Sequence, residues 1–583
     1  MEASWEVCNK VGGIYTVVSS KAHPLIEIYG DDYMLVGPYF YEKAKSCFEE
    51  RAAPPDLKPI CRSLEQEGIN VHFGTWLIKG KPTAILLDFS GYTKNKDMIK
   101  TELWDKFGID SLNSDYYDFD EPIVWSYCVG KLIEHIKALH PEKRIVAQFH
   151  EWMSAGGLLY LKSRQIRVGT VFTTHATMLG RTLSGKNIDI YDHLNDIDPV
   201  KEAYRYGIHP KHLTEMAAAK HAGAFTTVSE ITGLEAEHFL GKKPDVLLPN
   251  GLDIEKFPTF EELSINHRTT KMKIQEFLMA YFLPYYPLEI EDALIMFTVG
   301  RPEFHVKGFD LLIDSLAKLN ERLKSIPDAK PVVAFFFVPA AIKRVKPEIL
   351  ENKTFFTDIK EYVSDRLRQI ENRIIEHILT RKDSMDIFTV EEREEMLKKL
   401  LRLAKTGDPP VCTHDLWHPE TDAFLNEFAK KGLTNKKDDK VKIIYYPLYL
   451  AGADGLLDLD YYEMIQGTHL GVFPSMYEPW GYTPLETAAL GVMSITTDLA
   501  GYGRYIQNEL REGTPGLAVV RRSGKSYDES CYDLTEAILA FTRLSRADRV
   551  KNKIEARRIA SMADWKILIG RYLEAHSLAL KEA

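Results

Sequence analysis

A chain of 583 residues is too long for a single hydrophobic core and has room for two domains of roughly 250 residues each. Hydrophobic residues make up 45% and charged residues 27%, which excludes a mostly disordered chain, and a formal net charge of −10 argues against a general nucleic-acid binder. The longest apolar run, residues 331–342, falls well short of the about 20 residues that a membrane helix needs.

The start, Met1-Glu-Ala-Ser-Trp5, lacks the basic and apolar regions of a secretory signal. Six cysteines (Cys8, Cys47, Cys61, Cys128, Cys412 and Cys531) form no C-x-x-C pair, so reduced thiols are expected rather than a disulfide framework or a zinc site. These features predict a cytoplasmic protein with no membrane or nucleic-acid partner, no metal and no cofactor.

In chain order, a first apolar strand runs into the loop Lys10-Val-Gly-Gly13, which has neither Walker A nor dinucleotide-fingerprint spacing. Apolar runs at 145–149, 169–174 and 224–228 predict buried strands, with a helix over 211–221 between the last two. Pro249-Asn-Gly251 predicts a turn and a boundary, and the polar segment 257–273 a linker. Further strands are predicted at 295–300, 332–338, 442–446, 470–474 and 494–497. Strands alternating with helices predict an α/β protein of two doubly wound domains. Residues 341–406 break the pattern: they are charged and helical, with Ile359, Val363, Leu367, Ile370, Ile374 and Ile378 spaced three or four apart. That spacing suits a helical hairpin or coiled-coil-like contact, or a surface helix packed on its own domain.

The chemistry gathers in loops after strands. In Tyr477-Glu-Pro-Trp-Gly-Tyr-Thr-Pro484 a glycine loop leads into a helix, with Thr483 suited to the N-cap, Pro484 to the first position and Glu486 to a capping box. A helix starting past the carboxyl end of a parallel strand directs free N–H groups at a ligand crevice, which suits phosphate. Glu478 and Glu486 could then face one ligand. In Gly300-Arg-Pro-Glu-Phe-His-Val-Lys-Gly308, Arg301 and Lys307 bring two positive charges that suit a departing diphosphate. Phe149-His-Glu-Trp152 and the segment around His175 end two other strands, and each histidine could equally be structural.

Taken together, Lys10-Val-Gly-Gly-Ile-Tyr-Thr-Val17, Phe149-His-Glu-Trp152, Phe172-Thr-Thr-His-Ala-Thr-Met-Leu-Gly-Arg181, Thr226-Thr-Val-Ser-Glu-Ile-Thr232, Pro249-Asn-Gly-Leu252, Pro410-Val-Cys-Thr-His414 and the 477–484 segment resemble the animal and fungal glycogen synthases. The resemblance runs from residue 5 to about residue 570. It implies a GT-B architecture, two Rossmann-like domains facing across a cleft: 1–255, 256–545 with the insertion 341–406, and final helices 546–583 crossing back to the first domain. It implies retaining transfer of glucose from UDP-glucose to the non-reducing end of an α-1,4-glucan without a metal. By the same resemblance Glu478 lies beside the transferred glucose, Arg301 and Lys307 hold the diphosphate, and His150 touches the glucosyl unit with Gly12, Gly13 and Asn250 around it. Lys10, Arg181 and Tyr482 belong to the substrate cleft, Tyr461 stacks on uracil, Thr483 binds phosphate through its N–H, and Glu486 reaches the ribose. A tetramer and a glycogenin-like primer protein are implied as partners. A disaccharide-forming nucleotide-sugar glucosyltransferase, a pyridoxal-phosphate-bearing glucan phosphorylase and an inactive glycogen-bound scaffold are the rivals.

Between 543 and 558 lie seven basic residues, of which Arg546, Arg549, Lys553 and Arg557 form one stripe on a helix. The family binds glucose 6-phosphate on an arginine-rich helix at this place. Arg546, Arg549 and Arg558 match it, whereas Ala547, Lys553 and Glu555 replace arginines. The chain ends at Ala583 without the phosphorylatable tails of the animal group. A weak response to glucose 6-phosphate and appreciable basal activity are expected.

Overall fold

The computed structural model describes residues 1–380, 387–511 and 513–582. The first part of the chain builds a nine-stranded sheet whose centre is parallel: Met34–Pro38, Glu2–Ala3, Val146–His150, Gly169–Thr174 and Ala224–Thr227 lie side by side. Both faces carry helices, so the central strands are buried on both sides and read as continuous apolar or threonine-rich runs. The second part is a six-stranded, wholly parallel sheet ordered Val441–Tyr446, Val332–Phe337, Leu294–Val299, Leu470–Val472, Met493–Thr497 and Leu517–Val520. Each strand anticipated from sequence lies within two residues of its expected span.

The segment 257–273 is not a linker. From Phe260 on it belongs to the 23-residue helix Phe260–Phe282, closed at its start by a capping box between Thr259 and Glu262. Most of its polar residues face outward, while Leu263, Ile274, Leu278 and Phe282 bury against the second sheet. The insertion forms helices Pro347–Thr380 and Val390–Leu403, tied by Arg373, which donates to both carboxylate oxygens of Glu392 at 2.6 and 2.7 Å. Of the anticipated apolar seam only Ile370 is buried, and Leu367 and Ile378 are 59% and 71% exposed. The neck is a small antiparallel pair, Ile342–Val345 with His414–Leu416.

The last helices return across the molecule. Trp565–Ala579 lies against the first sheet, where Trp565 Nε1 donates to Ser20 Oγ at 2.7 Å and His576 meets Tyr29 and Gln148. A side chain at Gly251 would come within 2.7 Å of the Trp565 ring, so the Pro249-Asn-Gly251 segment is shaped to admit it.

Residues just past the carboxyl ends of strands in both sheets meet each other. Ser229 Oγ donates to the Pro479 carbonyl at 2.6 Å, Tyr477 donates to Glu235 at 3.1 Å, and Tyr191 stacks on Tyr477. His305 bridges the two parts, with Nε2 3.1 Å from Asp189 and Nδ1 2.7 Å from Asp310. Hydrogen bonding to Asp189 and then to Asp310 raises its pKa to about 9. A pKa raised on folding gives stability that is fully present below the unfolded value, about 6.5, and is lost as pH rises through 9. Calorimetric unfolding of wild type and His305→Gln from pH 6 to 10 should show a wild-type advantage at pH 6–7 that shrinks to little by pH 10.

Candidate active site

On the second-domain side, Lys307 and Glu478 come together at the strand ends, with Nζ 2.5 Å from Oε2. Their approach depends on Gly308, which has φ +69° and would place a Cβ only 2.0 Å from the Pro474 carbonyl. That carbonyl also accepts from Arg522 at 2.8 Å, fixing the loop that leads to Glu478. Arg301 stands apart from this pair: its guanidinium is largely exposed and is ion-paired with Glu303 at 3.1 Å. The loop therefore brings one of its two cations to Glu478, and the other remains free to swing onto a ligand.

The helix after this loop spans Tyr482–Ala489, and its N-cap is Gly481, at φ +107°. Thr483 is thus the second helical residue rather than the cap, and Glu486 does not close a capping box. Glycine takes the cap because the chain reverses there in the left-handed region, which threonine disfavours. The first-turn N–H groups of Tyr482 and Thr483 have no intrahelical partner by position. The Glu486 carboxylate instead accepts from the hydroxyls of Tyr461 (3.2 Å) and Tyr462 (2.9 Å), and burial pushes its pKa up to about 7. Tyr482 reaches across and donates to the Gly251 carbonyl at 3.4 Å.

On the first-domain side the two histidines are chained. His150 is 1% exposed, with Nε2 2.6 Å from Glu2 and Nδ1 2.9 Å from His175 Nε2. Glu2 also binds Lys21 and accepts from Tyr33 at 2.6 Å. Burial pushes the Glu2 carboxyl up, but Lys21 and His150 hold it well below the usual range, while burial keeps both imidazoles neutral. A carboxylate only accepts, so His150 carries its proton on Nε2 and takes one from His175 Nε2–H. His175 then turns an unprotonated Nδ1 outward. Both ring nitrogens of His150 are engaged, and the residue is buried behind this chain of hydrogen bonds.

Around this chain, Glu151 sits at φ +64° and accepts the N–H groups of His175 (3.0 Å) and Ala176 (3.2 Å). Burial lifts its carboxyl to about 7 against the pull of Arg181. Arg181 is exposed within the field of Glu151, Tyr477, Glu215 and Glu235. Lys10, Gly12 and Gly13 are exposed at the start of the helix Gly13–Tyr29. Glu6 caps that helix from a distance, accepting from Gly12 N–H at 2.6 Å and Tyr15 N–H at 3.0 Å. Asn250 is 5% exposed, and its Oδ1 has no partner.

The basic stripe is split. Arg557 donates to the carbonyls of Ala489 (2.6 Å), Ile254 (3.3 Å) and Phe257 (3.4 Å), so it clamps the domains and is withdrawn from any ligand. Arg558 pairs with Glu555 at 2.7 Å. Lys553 turns inward, where burial, Lys271 and Arg549 lower its pKa to about 8. His267 and His469 lie beside them, and burial keeps both low. Arg546 is exposed at the start of the same helix, Arg546–Ser561.

Sequence reading passed over Glu2, Lys21, Glu6 and Glu151. Glu2 precedes any recognisable pattern, and a lone lysine on an amphipathic helix reads as a solvated charge. Glu151 was visible only as the neighbour of His150.

A glycogen synthase family model matches residues 2–583. The glycogen [starch] synthase of Neurospora crassa is 37% identical over 590 residues, covering 100% of this chain and 83% of that one. The liver glycogen [starch] synthase of Mus musculus is 35% identical over 587 residues, with the same coverage. Among solved structures, the catalytic domain of starch synthase IV from Arabidopsis thaliana, bound to ADP and acarbose, aligns with a TM-score of 0.51 at 12% identity, covering 100% of this chain and 98% of that chain. That likeness shows the GT-B fold. A full-length family match, joined to relatives aligned along the whole chain, means that this protein belongs to the glycogen synthase family of glycosyltransferases.

Proposed function

We propose that the chain transfers glucose from UDP-glucose to the non-reducing 4-hydroxyl of an α-1,4-glucan, with retention of configuration. The observation that carries this reading is the Lys307–Glu478 pair beside a helix start with no side-chain cap, joined to an Asn250 Oδ1 that has no partner on the first-domain side. Departure of UDP leaves positive charge on the sugar and negative charge on the diphosphate. Lys307 and the N–H groups of Tyr482 and Thr483 stabilise the diphosphate, and Arg301 leaves Glu303 to join them. Glu478 stabilises the sugar, and His175 Nδ1 accepts from a sugar hydroxyl. Glu486, held by Tyr461 and Tyr462, reaches the ribose in this reading. The acceptor attacks from the face that UDP leaves, its proton passing to a phosphate oxygen. The uncovered apolar side of the insertion supports self-association into the tetramer.

Incubation with UDP-glucose and glycogen should release UDP and lengthen the glucan chains. A disaccharide product, or no UDP above background, would sink the reading. Glu478→Gln should lower turnover by about 100–1,000-fold with UDP affinity nearly kept.

The two histidines should separate in kinetics. His175→Ala removes a contact to the sugar and should lower turnover on the order of 100-fold, whereas His150→Gln should lose about tenfold, the scale of an orienting partner. Equal losses in steady-state assays would contradict their order in the chain.

The cluster of Arg549, Lys553 and Lys271 supports a sugar-phosphate site, since an anion there relieves mutual repulsion. Lys553 gives a point charge instead of the bidentate fork of arginine. An activity titration should therefore show only weak activation by glucose 6-phosphate, abolished in Arg549→Ala. Activation of tenfold or more would contradict it.

A further inference from the structure

Two of the six cysteines lie against each other, and they do so beside the loop Lys10–Gly13. Cys8 is 3% exposed and sits at φ +54°, a left-handed conformation uncommon for a residue with a side chain. It belongs to the turn between Glu6, whose carboxylate caps Gly12 and Tyr15, and Lys10. Cys47 is half-buried at the end of a different segment, just before the edge strand Phe48–Glu50, and its carbonyl accepts from Leu77 N–H at 2.7 Å. Cys47 Sγ is 3.7 Å from the Cys8 carbonyl and 3.5 Å from that of Lys43. With Cys47 Sγ in contact with Cys8, interaction between the two thiols lowers the Cys47 thiol and, with burial, pushes the Cys8 thiol up. Burial instead holds the thiols of Cys61, Cys128 and Cys412 up.

We propose that Cys8 and Cys47 form a dithiol modification site, closed reversibly to a disulfide by a peroxide and slowing transfer by shifting the loop Lys10–Gly13. The half-exposed Cys47 thiolate attacks one oxygen of hydrogen peroxide. An S–O bond forms, the O–O bond breaks, and hydroxide leaves as water after taking a proton. The Cys8 sulfur then attacks the Cys47 sulfenic acid. The S–S bond forms, the S–O bond breaks, and a second water leaves with the Cys8 proton. Two thiols are oxidised by two electrons, and one peroxide becomes two waters. In a reducing compartment such a bond is transient and serves sensing rather than stability.

Closure to a sulfur–sulfur separation of about 2.05 Å draws Cys8 towards the anchored Cys47. The neighbours of Cys8, Glu6 and Lys10, move with it, and Glu6 holds the first turn of the helix at Gly12. A displacement of about 1 Å at a reacting site is enough for losses on the order of 100-fold. The effect on turnover rests on the transfer reaction proposed above, whereas formation of the bond does not.

The test treats the purified full chain with hydrogen peroxide, blocks free thiols with N-ethylmaleimide and maps peptides by mass spectrometry without reductant. The expected result is a Cys8–Cys47 linked peptide two hydrogens lighter than the sum of its parts, two fewer titratable thiols and no change in oligomer mass. UDP release should fall tenfold to 100-fold and return with dithiothreitol. Cys47→Ser and Cys47→Ala should keep basal activity and resist peroxide. Absence of the linked peptide, or equal peroxide sensitivity in both Cys47 variants, would overturn the site. A linked peptide with undiminished UDP release would overturn the coupling to the loop. Because the peptide is read by mass, a chain inactive towards UDP-glucose would still report on the bond.

Discussion

A buried ion pair fixes more of this molecule than any other contact. Glu2 and Lys21 are both sealed from solvent, and removing two charges from water costs several kcal/mol per ion unless every lone pair and proton is met. They are met here from four directions. Glu2 takes hydrogen bonds from Lys21, Tyr33 and His150, and Lys21 lies 4.3 Å over the ring of Tyr572 on the returning C-terminal helix. The first strand, the first helix, the strand ending at His150 and a helix more than 500 residues later must all be in place before the pair is satisfied. The same pair sets the tautomer of His150, and through it the face that His175 turns to the cleft.

The other half of the cleft is organised by close backbone approach rather than by charge. Gly308 and Gly481 take left-handed conformations that bring Lys307 and the start of the helix Tyr482–Ala489 to Glu478. The two halves differ in character: Lys307 and the helix start at Tyr482 lie on the second-domain side, and neutral imidazoles with buried carboxylates lie on the first. Low-dielectric surroundings strengthen both, which is why burial raises Glu151 and Glu486 to about 7 while Lys307 and Glu478 stay partnered.

The clamp between domains is made of separate small contacts. Arg557 reaches three carbonyls, His305 meets an aspartate in each domain, and Ser229 and Tyr477 join loops from opposite sheets. These polar contacts frame a continuous apolar seam, in which Val17 and Leu25 of the first part share one buried core with Leu485, Tyr502 and Ile506 of the second.

Sequence alone determined the α/β class, the strand positions and the loops that carry Glu478, Lys307 and the histidines, because those depend on local periodicity and on residues adjacent in the chain. It misread 257–273, where polar outward residues concealed the inward stripe of a helix that only a neighbouring sheet defines. It placed Thr483 at a cap that the backbone gives to Gly481, because a positive φ is not written in side-chain chemistry. It counted Arg557 with the anion-facing stripe, although the carbonyls of Ala489, Ile254 and Phe257 claim it. It could not see Glu2, Lys21 or the Cys8–Cys47 pair, since partners as distant as Glu2 and His150, 148 residues apart, share no local signal. Tertiary structure decided which charges are buried and which remain available, because desolvation and pairing depend on what lies within a few ångströms in space and not along the chain.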